Sequence, residues 1–322
     1  MVETFVIVGS VIYASLFGLM ALGLTLTYLT TKVPNFAYGS FVTVGMYVSY
    51  SLNKLYHVGI YESIPASFLI GAATSVAMYL VVLRPLARRG SSLVSIMIAT
   101  LAVDIAFLGI FGMYTDYLSS HFGLGQTKII FQFPDFDMLG FPGLLYVAPI
   151  SLGLISSALF LLLTRTRFGI SMRAAVENPN LAKILGINVE KVYVFAWLLA
   201  GGFAAMSGSL YVLWLAGGVS AGSGLIVEIF AASVLGGLAS IYGAVLGGLI
   251  VGASEVIVTI WVEQLVGQWF SLYQKGVPLI MLIVTLLVLP QGLVSLRAVK
   301  LRLPRFFSKL KTLIPIDRLR RR

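Results

Sequence analysis

The sequence predicts an all-α fold, a polytopic bundle of transmembrane helices, on three observations. Of the 322 residues, 59% are hydrophobic and only 11% charged, against roughly a quarter charged in ordinary soluble domains. Apolar runs of about 20 residues recur, the length that carries a helix across a hydrocarbon core of about 30 Å. No segment alternates in the manner of barrel strands, and lipid admits only helices or closed barrels. Cysteine is absent, which excludes disulfides, zinc–thiolate sites and thiol catalysis. The N-terminus carries Glu3 and no basic stretch before its first long apolar run, so no cleavable signal is expected.

About eight or nine apolar segments follow in order, at roughly 5–29, 36–51, 63–83, 93–114, 143–164, 191–216, 226–238, 243–262 and 276–296. The segments at 36–51 and 226–238 are short, which suits broken or re-entrant helices better than full spans. Pro34 disfavours helix at Val33 and separates the first two segments. Residues 1–296 are read as one membrane domain and 297–322 as a basic tail, whose ten Lys/Arg against Asp317 alone suit anionic lipid rather than nucleic acid.

The bases also predict orientation. If Arg84, Arg88 and Arg89 face the cytoplasm, alternation puts Lys32, Arg165, Arg167, Arg173, Lys183, Lys191 and the tail on the same side, leaving Lys54, Lys128 and Lys275 opposite. This asymmetry predicts an external N-terminus and a cytoplasmic C-terminus. The longest external loop, Thr115 to Pro142, reads either as a platform for an outside partner or as an amphipathic flap on the membrane surface.

Residues 165–191 form a polar island between apolar runs. Asn178 and Pro179 mark a helix start, Asn by capping free N–H groups and Pro by having none to lose. Gly186 is the matching stop. A helix of Pro179 to Leu185 is too short to stand alone in water, so the membrane domain behind it or a partner in front must hold it. A preceding helix over Ile170 to Glu177 is expected, with Gly169 as its hinge.

Asp104 lies in the middle of its segment and Glu255 inside another, where ionised carboxylates are costly. Each is either a functional group on a polar path or a hydrogen-bonded structural acid. Glu228 and Glu263, nearer segment ends, are expected at the interface. Asn35, Tyr38, Ser40, Thr43 and Tyr47 thread the second segment, either along a solute path at a helix break or as hydroxyl bonds between helices. Gly243-x3-Gly247 and Gly248-x3-Gly252 permit close helix approach. There is no G-x4-G-K-[ST] loop and no HExxH or other metal spacing, so this chain is expected to hold neither ATP nor metal. Ser207 and Ser209 have no neighbouring base, so an enzyme is disfavoured.

Four stretches carry a likeness: ALGLTLTYLTTKVPNFAYGSF from Ala21, LRPLARR from Leu83, GISMRAAVENPNLAKILGINVEKV from Gly169 and AASVLGGLASIYGAVLGGLIVGASE from Ala231. Together they resemble the permease subunits of branched-chain amino acid ABC importers, specifically the shorter of the two permeases. In that family the first motif usually reads Asn-Phe-Ala-His-Gly, with Tyr38 here in place of the histidine. The resemblance implies a second, related permease, two cytoplasmic ATPase subunits carrying ATP and Mg²⁺, and an external amino-acid-binding protein. It further implies that residues 169–192 supply the helix that docks on the ATPase, with Arg173, Glu177, Asn178, Pro179, Lys183 and Gly186 as coupling residues. Asn35, Tyr38, Ser40, Asp104 and Glu255 remain the candidate path residues. The alternative reading is an ion-coupled carrier or channel using Asp104 and Glu255.

Overall fold

The computed structural model describes residues 2–123, 131–289 and 291–294; the basic tail and Lys128 lie outside them. The chain runs through α1 (Val2–Thr31), α2 (Tyr38–Tyr56), α3 (Ile60–Met78), a π-helical turn (Tyr79–Leu83), α4 (Arg84–Arg88), α5 (Leu93–Phe122), a hairpin of β1 (Asp137–Met138) and β2 (Phe141–Pro142), α6 (Leu144–Arg165), α7 (Arg167–Glu177), α8 (Pro179–Ile184), α9 (Val189–Tyr211), α10 (Ala221–Gly224), α11 (Ile226–Gly236), α12 (Ile241–Val266), a 3₁₀ turn (Gln268–Tyr273) and α13 (Gly276–Val288). Among the described residues, six helices are long and apolar enough to cross a membrane: α1, the continuous run of α3 through α4, α5, α6, α9 and α12. The protein is a multi-pass helical membrane bundle.

The second segment is not short. α2 has 19 residues and runs on past Ser51 through Leu52 to Tyr56, ending only where His57 takes a left-handed conformation at φ 55°. Nearly every residue from Tyr38 to Tyr50 is buried, which makes α2 the central helix. Its hydroxyls reach other helices instead of lipid: Ser49 meets Ser63 Oγ at 2.6 Å and Ser51 meets Tyr114 OH at 2.6 Å. The broken pass is 221–236, where α10 and α11 meet at Leu225. α13 is also shorter than its apolar segment and stops at Leu289, the residue before a proline, where helix is disfavoured.

Small residues set the crossings. A side chain at Gly248 would run into the backbone of α1 at Phe17 and Gly18, and one at Gly252 into Tyr13 and Ala14. The two pairs read from the sequence therefore serve two seams: Gly248 and Gly252 face α1, whereas Gly243 and Gly247 meet the backbone of α11 at Gly236 and Ala232. Trp197 fills the centre, fully buried, and donates from Nε1 to Thr30 Oγ1 at 3.0 Å. α5 differs from α1 and α9: most of its apolar surface faces outward.

The expected 28-residue loop is partly helix, because α5 continues through Phe122. Residues 131–142 fold onto the end of the bundle where α1 begins. Phe131 N donates to Gly217 O at 3.0 Å, Phe133 N to Val212 O at 2.9 Å and Gln132 Nε2 to Trp214 O at 2.8 Å. Tyr61 OH donates to Asp135 Oδ1 at 2.7 Å. The described part, called the flap below, packs on protein.

Candidate functional site

At the opposite end of the bundle, the polar island is built as its start and stop signals require. Thr166 Oγ1 accepts from Gly169 N at 3.2 Å and opens α7, three residues before the expected start. Gly169 is therefore inside the helix and not its hinge; a side chain there would strike the carbonyls of Leu162 and Leu163. Asn178 Oδ1 accepts from Leu181 N at 3.0 Å and caps α8, with Pro179 at its first position. Gly186 closes it at φ 81°. The short helix is held from behind by the buried Ala182, and α7 before it is tied to α9, where Tyr193 OH donates to Ala175 O at 3.3 Å. Its front is open, with Ile170, Leu181, Ile184 and Leu185 exposed, Ile184 to 81%. Arg173 and Glu177 line a cavity of about 630 Å³ with Lys32, Met172, Ser240 and Tyr242, and Lys183 is exposed. Beside the island, Arg84 and Arg88 both pair with Glu190, tying α4 to the start of α9.

Within the bundle, Asp104 is paired. Its Oδ1 accepts from Ser40 Oγ at 2.6 Å and from Ser223 Oγ at 3.0 Å. This joins α5, α2 and α10, and Thr43 Oγ1 accepts from Gly222 N at 3.1 Å one turn away. The crossing needs two glycines, since a side chain on either Gly39 or Gly222 would meet the backbone of the other. Asn35 lies in the break before α2, where its Oδ1 accepts from Ala37 N at 3.1 Å and its buried Nδ2 has no partner. Tyr38 is fully buried, with its hydroxyl donating to Ala200 O at 3.4 Å. The structure thus brings Ser40 and Asp104 together and adds Ser223, which the sequence reading missed.

Glu255 belongs to a second cluster. It is 3% exposed, and its Oε1 accepts from Gln274 Nε2 at 3.0 Å while its Oε2 has no hydrogen-bond partner. Gln274 Nε2 also donates to Tyr13 OH at 3.3 Å. Glu228 is enclosed by protein: it is 1% exposed, and neither carboxylate oxygen has a hydrogen-bond partner. The reason is the folding back of residues 221–224 as α10 against α2, which carries the first turn of α11 into the bundle. Lys275 Nζ lies 3.8 Å from Glu228 Oε1 and donates at 2.9 Å to Gly224 O. Above this cluster is a cavity of about 640 Å³, lined by Phe5, Tyr13, Asp137, Trp214, Glu263 and Gln274 among others. The flap roofs it.

Among the described residues, no group of three or more His, Cys, Asp or Glu side chains is placed to hold a metal ion.

A profile described as "branched-chain amino acid transport system / permease component" matches residues 6–286. A probable branched-chain amino acid transport permease protein LivH from Methanocaldococcus jannaschii is 43% identical over 93% of this chain and 95% of its own. The high-affinity branched-chain amino acid permease LivH of Salmonella typhimurium is 29% identical over 89% of this chain and 94% of its own. The ribose import permease RbsC of Escherichia coli is 26% identical over 73% of this chain and 71% of its own. No solved structure matches.

Proposed function

The chain belongs to the branched-chain amino acid transport permease family, and from that membership we propose that it is the permease subunit of an ATP-binding-cassette importer. Its cargo is a branched-chain amino acid or a related amino acid or amide. As a permease component it is a transport subunit, not an enzyme. ATP and Mg²⁺ are bound by two separate cytoplasmic ATPase subunits, a second related permease completes the membrane pore, and an external binding protein delivers the solute. The end of the bundle carrying the island, Arg84 and Arg88 faces the cytoplasm, and the flap faces outward.

The observation that carries this reading is the island itself: a capped helix of six residues, braced on the bundle and apolar on its open front. Exposed Leu181, Ile184 and Leu185 suit a hydrophobic cleft on a partner, because an apolar anchor rimmed by charge gives association its core. When ATP closes the ATPases, their motion is applied to α8 and passes into α9 through Ala182 and through α7, whose Ala175 carbonyl accepts from Tyr193. Movement of α9 against α2 and α3 then opens the path alternately to either side.

The test is leucine uptake in proteoliposomes holding the full complex, with Arg173→Ala and Glu177→Ala combined. Uptake is expected to fall by roughly tenfold or more, as for loss of about 1.4 kcal/mol or more of coupling, while the subunit still inserts and assembles. Normal uptake by the double variant would contradict the assignment of these two residues to coupling.

A further inference from the structure

The cluster beneath the flap is short of positive charge. Glu228 and Glu255 sit on α11 and α12, nearly completely buried, and contact the consecutive residues Lys275 and Gln274. Three of their four carboxylate oxygens have no hydrogen-bond partner. The nearby cation, Lys275, is 65% exposed, stands 3.8 Å from Glu228 and makes its shorter contact to the Gly224 carbonyl. With both acids ionised, two carboxylates facing one ammonium would leave one negative charge inside the bundle, so one acid either stays protonated or pairs with a further cation.

The cluster is also within reach from outside. Tyr13 and Gln274 line the cavity beneath the flap, and Gln274 Nε2 bridges Tyr13 OH to Glu255 Oε1. One side-chain amide therefore separates the cavity from Glu255. Asp137 and Glu263 on the cavity wall favour entry of a cation over an anion.

We infer that Glu228 and Glu255, behind Gln274, hold one monovalent cation that enters through this cavity. The three free carboxylate oxygens match in number the three N–H donors of a primary ammonium, so the amino group of the transported solute is one source. A free alkali cation is the other, since the available acceptors are all oxygen. Only the first source rests on the amino-acid importer reading. Neither acid lines the cavity, so the cation reaches Glu255 only if the Gln274 amide swings aside.

The test is calorimetric titration of the assembled complex in nanodiscs with isopentylamine, with its N,N,N-trimethyl analogue, with 4-methylpentanoate and with sodium or potassium chloride. Binding of isopentylamine, but not of the trimethyl analogue or the acid, assigns the site to a primary ammonium. Binding of sodium or potassium that isopentylamine does not match assigns it to a free cation. In either case Glu255→Gln and Glu228→Gln should weaken binding by roughly tenfold or more, the loss expected when a charged acceptor is removed. Failure of wild type to bind any of these cations, or binding unchanged in both variants, would overturn the inference. The wild-type titrations need no variant to fold. Copurification of the ATPases in the same preparation reads the importer assignment separately, so failure of one leaves the other standing.

Discussion

Two carboxylate sites lie within the same bundle, and they are built in opposite ways. Asp104 is only half-buried, yet two hydroxyls from two other helices converge on one of its oxygens. Glu228 and Glu255 are far more deeply buried, yet three of their oxygens are left without a hydrogen bond. The first site joins helices: Ser40, Ser223 and Asp104 lock α2, α10 and α5 at the Gly39–Gly222 crossing. The second leaves acceptor oxygens unpartnered beneath a roofed cavity. An acid in a membrane helix is thus a structural clasp or a ligand site according to what surrounds it, and the two cases cannot be told apart by the residue alone.

The comparison predicts opposite responses to removal of the acid. Asp104→Ala should have the largest effect, because it leaves the buried Ser40 hydroxyl without an acceptor; a loss of about 1–3 kcal/mol is expected, and Asp104→Asn should restore most of it. Thermal unfolding in detergent, followed by tryptophan fluorescence, reads both. Wild-type stability in the alanine variant would break the clasp reading. Glu255→Gln should have the smallest effect on the ligand-free protein, within about 0.5 kcal/mol of wild type or above it, since it removes a buried charge that lacks a partner on one oxygen. A large loss in the same unfolding assay would mean that Glu255 is a clasp as well.

The parts of the molecule that were legible in the sequence are those governed by local chemistry. Asn178, Pro179 and Gly186 act on the backbone within one turn of themselves, and α8 begins and ends where they place it. The small-residue spacing from Gly243 to Gly252 likewise reports close approach, although only the structure names the partners, α11 for Gly243 and Gly247 and α1 for Gly248 and Gly252. Tertiary effects were not legible. α2 ends at His57, whose left-handed conformation carries no glycine to announce it. Burial of Glu228 depends on α10 folding back against α2, and Ser223 reaches Asp104 from 119 residues away in the chain. Position within an apolar run predicts depth only when the run is a straight span, and 221–236 is not one. The flap was ambiguous for a related reason: what fastens it is a set of backbone and side-chain bonds to residues 212–217 and Tyr61, none of which leaves a mark on the loop's own composition.

The central claim is that the island at 165–191 is where partner ATPases act on this permease. The most direct test is a pull-down from membranes through an affinity tag on this subunit, comparing wild type with a variant whose residues 178–186 are replaced by a Gly/Ser linker. The account predicts that ATPase subunits and a second permease accompany the wild type, and that the variant keeps the permease but loses the ATPases. ATPases retained by the linker variant, or absent from both, would contradict it.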